Sequence, residues 1–144
     1  MSEQIPALTI MQPWAQLIVD GKKRVENRRV PCRQFRRFAI HAGKGRAYWK
    51  RSSEGYRESQ VEWGAVVGFA DLVACVPIEN VRDEEVVERF PWLADHEYTE
   101  GPFCLVLENV VKLDDPIRNV SGSQGWWKFT IPGRVSWDPT SYTT

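Results

Sequence analysis

The sequence predicts an α+β domain in which about six short strands roll into a small β-barrel, flanked by two to three helices. Three observations predict it. Runs of branched and aromatic residues bounded by Gly, Pro, Asn and Ser recur along the chain, whereas only two stretches carry a convincing helical period. A parallel sheet would need a helix at each crossover, more than the sequence offers. The 144 residues contain no repeat, low-complexity tract or linker, so residues 1–144 read as one domain that folds unaided, with 137–144 as a poorly anchored tail.

Residues 8–11 read as the first strand. Pro13 then fits the first turn of a helix, where its missing N–H costs nothing, and Trp14, Leu17 and Ile18 fall on one face. Gly21 closes that helix in the left-handed conformation. Residues 22–29 read as a strand with Arg24, Glu26 and Arg28 on one side and Val25 and Asn27 on the other. Residues 35–41 form the next, with Phe38 and Ile40 sharing a face, and 44–58 is a basic, partly helical excursion. The most β-like stretch is 65–76, which Pro77 stops.

Asn80 is expected to cap a second helix, with Asp83, Glu84 and Glu85 suited to its N-terminal dipole, Val86, Val87 and Phe90 facing the core, and Pro91 ending it. Residues 103–110 are a strong strand; 117–120 and 126–129 are weaker ones separated by the turn-rich 121–125. An extended 126–129 puts Trp126 and Trp127 on opposite faces.

Composition removes several classes. With 42% hydrophobic and 26% charged residues and 7 Trp, 4 Tyr and 6 Phe, the chain is neither disordered, collagen-like nor coiled coil. No apolar run approaches the roughly 18 residues of a membrane span, and 64–76 carries Asp71 at its centre. Residues 1–6 lack a basic leader, so a soluble cytoplasmic protein without membrane contact is expected. Cys32, Cys75 and Cys104 give no disulfide framework or metal knuckle; Cys75 and Cys104 read as core. No metal is expected, since His41 and His96 lack spaced co-ligands, and no cofactor, since phosphate-loop, dinucleotide and nucleophile-elbow motifs do not occur.

Zero net charge hides a polarity: residues 1–60 carry 13 basic and 5 acidic side chains, residues 61–144 carry 6 and 14. Either the first segment forms an electropositive face for phosphates, or the halves attract each other within the fold.

The order Leu8-Thr9-Ile10-Met11-Gln12-Pro13-Trp14-Ala15, followed by Leu17-Ile18-Val19-Asp20-Gly21-Lys22-Lys23-Arg24-Val25-Glu26-Asn27-Arg28, resembles the opening of ASCH (activating signal cointegrator homology) domains. Ala39-Ile40-His41-Ala42, residues 64–71, Gly101-Pro102-Phe103 with Leu107-Glu108-Asn109-Val110, and Ile117 with Gly122, Gln124, Gly125 and Trp127 extend the resemblance over most of 8–129. It implies a PUA-like barrel with a cleft between barrel and helices, in a superfamily where nucleic-acid binding is common. Some members are instead N4-acetylcytidine amidohydrolases, and at least one is a reported ribonuclease. In the amidohydrolases this segment supplies a Lys and, three positions on, a Thr; those positions fall here on Lys23 and Glu26. A carboxylate there cannot form the same acyl intermediate as a hydroxyl.

Three readings of function follow. The first is binding of RNA, or of a single-stranded or modified nucleic acid, in a basic cleft. Glu26 would accept from an exocyclic amine, Asn27 read a base edge, and Lys23 and Arg28 meet phosphate or carbonyl oxygens. Lys22, Arg29, Arg36, Lys44 and Arg46 add basic contacts, with Arg33 and Arg37 in the same dense run as Arg29 and Arg36. Tyr48 and Trp49, interleaved with cations, suit base stacking; Trp14 reads as core or as a stacking wall; His41 is a hydrogen-bonded strand residue or a cleft donor. The second reading is a hydrolase on a nucleoside or RNA using Lys23 and Glu26, with Glu108 or Tyr48 as further candidates. A protein-interaction module is the third.

Overall fold

A computed structural model describes residues 3–34 and 36–133. Six strands, β1 (Glu3–Ile10), β2 (Val25–Arg28), β3 (Arg37–Ala42), β4 (Ala65–Pro77), β5 (Phe103–Ile117) and β6 (Trp126–Ile131), form one sheet in the order β2-β5-β4-β3-β1-β6. Only β1 and β3 run parallel; every other pair is antiparallel. The sheet curls into a half-barrel with β2 and β6 at its edges. Its curl follows from irregular register: β3 slips against β4 at Ile40/His41, and β4 slips against β5 at three places, each bending the ladder.

Both faces are covered, and the two-residue period of each strand sorts side chains between them. Leu8, Ile10, Phe38, Ile40, Leu72 and Leu107 pack with Ile18 of α1 (Trp14–Val19) on the inner face. Ile5, Ala7, Ala39, Phe69, Phe129 and Ile131 pack on the other. A third cluster, with Val25, Val76, Phe90, Leu93 and Val106, lies beneath α3 (Glu84–Arg89) and the turns around it. The predicted split of the tryptophans holds: Trp126 meets Phe38 edge-on at 5.2 Å on the inner face, while Trp127 joins the outer cluster.

The short α1 lies close on the sheet because Gly68 of β4 offers no side chain beneath Val19. A Cβ on Gly68 would come 2.8 Å from Val19 Cγ1 and 2.4 Å from the Val111 carbonyl oxygen of β5. Gly21 takes φ +79° after the helix, as expected of a left-handed cap. The turn it makes returns the N–H groups of Lys22 and Lys23 to the Leu17 carbonyl at 2.9 and 3.1 Å, which folds Lys23 under the helix end.

Several boundaries differ from expectation. β1 begins at Glu3, and β5 runs on to Ile117, so the separate strand expected over 117–120 is absorbed at its start by β5. Asn80 does not cap α3. Val81 is buried, so a 3₁₀ turn over Ile78–Asn80 precedes it; the helix starts after Asp83, whose Oδ2 accepts from Asn80 Nδ2 at 2.8 Å. Val87 is 41% exposed, because a six-residue helix presents only the Val86 and Phe90 side to the core. The basic excursion folds as α2 (Ala47–Arg51), with no buried residue. The tail 137–144 and Phe35 lie outside the described residues. Among these residues no helix is long and apolar enough to cross a membrane.

Candidate functional site

Beside α1 a cavity of about 630 Å³ opens between the end of β1, β2, the 29–32 segment, α2 and the loop around Tyr98. Its floor is apolar, from Leu8, Ile10 and Leu105 of the inner core. Three rings stand around it: Trp14 has Tyr48 and Tyr98 edge-on, each with ring centroids 6.1 Å away. The alternation of β2 aims Glu26 and Arg28 into the same space, and the turn after Gly21 adds Lys23.

Lys23 and Glu26 are not a surface ion pair. Lys23 is 4% and Glu26 8% exposed. Lys23 Nζ donates to the Val25 carbonyl, lies 3.7 Å from Glu26 Oε1, and sits 5.9 Å from the ring centres of both Trp14 and Tyr98. Burial holds its ammonium below the usual lysine range, an effect that Glu26 and Glu100 oppose in part. Arg28 Nη2 donates to Glu26 Oε2 and to the Thr9 carbonyl, both at 2.9 Å. Its buried Nε–H has no partner, an arrangement that costs on the order of 1–3 kcal/mol unless something fills it.

A second cavity of about 800 Å³ adjoins the first on the far side of Arg28, between the ends of β1 and β3 and the 120–125 loop. His41 organises its base. Its Nε2 donates to the Val120 carbonyl at 2.7 Å, so Nδ1 is the acceptor for the Thr9 hydroxyl at 3.0 Å, and Thr9 Oγ1 in turn accepts from Trp127 Nε1 at 3.1 Å. Burial, aided by the charge of Lys44, keeps His41 below the ordinary histidine range although the Val120 bond pulls the other way.

Of the residues named from sequence, Trp14, Lys23, Glu26, Asn27, Arg28, Arg29 and Tyr48 line the first cavity, and Arg28, His41 and Lys44 the second. The others lie apart from both. Lys22 stands over the Tyr56 ring, Arg36 is exposed before β3, and Arg46 pairs with Glu58 and covers Trp63, with Trp49 edge-on to the same indole. Arg37, in the basic run, is bonded to Asp71 and the Asn109 carbonyl. Glu108 sits on β5 across from Asp71 and lines neither cavity.

Asn27 lines the cavity but is not free to read a base edge. Its Nδ2 donates to the Tyr98 carbonyl at 2.9 Å, and its Oδ1 accepts from the N–H groups of Glu100 and Gly101 at 2.9 and 2.8 Å. Asn27 thus fixes the loop that brings in Tyr98 and Glu100, two cavity residues the sequence did not single out. They lie more than seventy positions away, joined to β2 only through folding. Trp14 is both things at once, packed on the inner core and forming the cavity wall. Among the described residues no group of three or more His, Cys, Asp and Glu could hold a metal ion.

A half-barrel with its first helix set over one end and a charged cleft beneath that helix defines a PUA-like α+β protein. The sequence pattern of the ASCH domain matches residues 8–117, and the chain belongs to the ASCH domain family. The fold is that of an ASCH protein from Zymomonas mobilis, with 19% identity and a TM-score of 0.50 over 94% of this chain and 90% of that one. Serine-to-alanine and tyrosine-to-phenylalanine variants of the Z. mobilis protein are similar at 20% identity and TM-scores of 0.48, over 89% of this chain and 88% and 90% of theirs. Comparison with curated protein sequences finds no match.

Proposed function

We propose that the protein binds one unpaired base of RNA, or of a single-stranded or modified nucleic acid, in the first cavity. The observation that carries this reading is the buried pair Lys23 and Glu26, joined by the half-buried Arg28, opening between the rings of Trp14, Tyr48 and Tyr98. Burying a Lys–Glu pair to support a fold is a poor use of it, since apolar residues of similar size stabilise as well or better. A planar ligand with both donors and acceptors uses every part: rings for its faces, Glu26 for an exocyclic amine, Lys23 and Arg28 for carbonyl oxygens. The volume, about 630 Å³, is within the ordinary range for small-ligand clefts.

The test is a titration of nucleosides and short single-stranded oligonucleotides followed by tryptophan fluorescence, in wild type and Glu26→Gln. The expected result is saturable quenching for at least one base class, weakened in the variant. Binding of every nucleoside and oligonucleotide unchanged by Glu26→Gln overturns the reading.

One observation favours hydrolysis as a second reading, the depressed affinity of Lys23 for its proton beside a carboxylate. In its neutral form the Lys23 amine can take a proton from a water attacking an acetamide carbonyl and return it to the departing ring amine as the C–N bond breaks. Acetate release from N4-acetylcytidine, abolished in Lys23→Met, supports it; no release removes it.

A further inference from the structure

We propose that the second cavity is a phosphate subsite, holding the phosphoryl group attached to the nucleoside whose base occupies the first. The proposal rests on the base-binding reading and names the substrate class: a nucleotide or nucleotide chain instead of a free nucleoside.

The two cavities adjoin. Thr9, Met11, Arg28 and Gly125 line both, so Arg28 stands as the partition and a ligand seated in one can reach the other without leaving the surface. Their charges differ in kind. The first contains Glu26 and Glu100, carboxylates that a phosphate placed there would face. The second has Arg28 and Lys44 in its lining with no carboxylate among them, and the hydroxyls of Ser121 and Ser123 as further donors.

The second cavity is also built, not incidental. Lys44 lies along the backbone of Gly64, which adopts φ +67° and passes close under the lysine stem, a Cβ there standing 2.5 Å from Lys44 Cε. Gly122 sits directly on the hydrogen-bonded pair beneath, where a Cβ would come 2.4 Å from Thr9 Oγ1 and 2.7 Å from His41 Nδ1. The close approach of Gly122 thus seats the serine-bearing loop on one side, with Lys44 lying over Gly64 on the other. His41, neutral and spending both ring nitrogens on Thr9 and Val120, supports the loop instead of carrying charge.

His41 also reports on the site. Lys44 helps to keep the imidazole from protonating, so an anion on Lys44 cancels part of that field and moves the His41 titration to higher pH.

The experiment compares a nucleoside with its 5′- and 3′-monophosphates and with a dinucleoside monophosphate by calorimetry at low salt, in wild type and Lys44→Met, and follows His41 by NMR with inorganic phosphate alone. The expected advantage of the phosphorylated ligand is about tenfold in wild type, the effect of one charge-assisted contact. It falls to about twofold or less in Lys44→Met. The best of the three phosphorylated ligands tells a free nucleotide from a chain phosphodiester. An advantage absent in wild type, or equally large in Lys44→Met, overturns the subsite while leaving base binding standing. If no nucleoside or nucleotide binds, the base reading fails, and the phosphate arm alone decides: an upward shift of the His41 titration in wild type but not in Lys44→Met supports the subsite, and no shift overturns it.

Discussion

Lys23 Nζ lies 3.7 Å from Glu26 Oε1 with the two side chains 4% and 10% exposed, and Arg28 closes on the other carboxylate oxygen at 2.9 Å. One carboxylate therefore answers two cations, of which Lys23 is shut off from water and Arg28 is about a third exposed. Replacing it by an amide, Glu26→Gln, leaves the Lys23 ammonium with the Val25 carbonyl and the charge of Glu100, and a loss of about 3 kcal/mol is expected on breaking a buried pair from one side. The double change Lys23→Met with Glu26→Gln should recover most of it. Urea unfolding of the three proteins checks this, and a Glu26→Gln protein as stable as wild type contradicts it.

The same burial sets a pH dependence. Folding holds Lys23 below its ordinary value of 10.5, so the unfolded chain keeps this proton to higher pH than the folded one. Where the unfolded state binds more protons, stability rises with pH. The contribution of Lys23 must therefore rise as pH climbs through its folded value toward 10.5. His41 and His96, both lowered from 6.5 chiefly by burial, act with the same sign at the acid end, and stability falls as pH drops below 6.5. Urea midpoints should rise from pH 5 to pH 7. Above pH 9, Cys104, raised by burial, acts with the opposite sign in every variant, so the Lys23 contribution is read as the difference between wild type and Lys23→Met. That difference should grow as pH climbs toward 10, and a difference independent of pH rejects the assignment.

Much of the fold was legible because it is local. Phe38 and Ile40 share a face of one strand and the branched apolar run 65–76 reads as another whatever their partner strands, and Pro13 and Gly21 mark the ends of α1 through their own backbone preferences. The site was half legible. Trp14, Lys23, Glu26 and Arg28 are close in sequence, and a turn plus a short strand suffice to gather them. Tyr98 and Glu100 arrive through the amide of Asn27, a contact no local pattern announces, and the same contact explains why reading Asn27 as a base reader goes wrong. Lys22, Arg36 and Arg46 show the converse: basic residues of the cation-rich residues 1–60 lie in different surroundings, so charge density along the chain does not equal charge density in space.

Gly68→Ala tests whether the seat of α1 depends on a missing side chain. The new methyl meets a carbonyl oxygen at 2.4 Å on β5 and a Val19 methyl at 2.8 Å, and neither backbone nor a fully packed helix yields easily. A loss of about 3 kcal/mol is expected, at the upper end for overpacking. Because Val19 belongs to the helix that carries Trp14, the fluorescence of the folded variant should also shift. Unchanged stability and spectrum would show that the sheet and helix have slack at this contact.

Asn27 separates positioning from contact. Its amide makes three hydrogen bonds to the loop behind Tyr98, each worth about 1 kcal/mol when replaced by water, so Asn27→Ala should lose about 2–3 kcal/mol. Asn27→Asp keeps the one oxygen that accepts from the N–H groups of Glu100 and Gly101 but sets a second oxygen against the Tyr98 carbonyl, so it should lose stability mainly at that one contact. A merely structural role ends there. If Asn27 holds the ring that closes the cavity, Asn27→Asp should also weaken binding of the preferred nucleoside, and Tyr98→Ala added to it should weaken binding less than it does in wild type, since the ring has already moved. Additive losses in that double-mutant cycle would mean that Asn27 and Tyr98 act independently, and the cavity wall would then owe nothing to the amide.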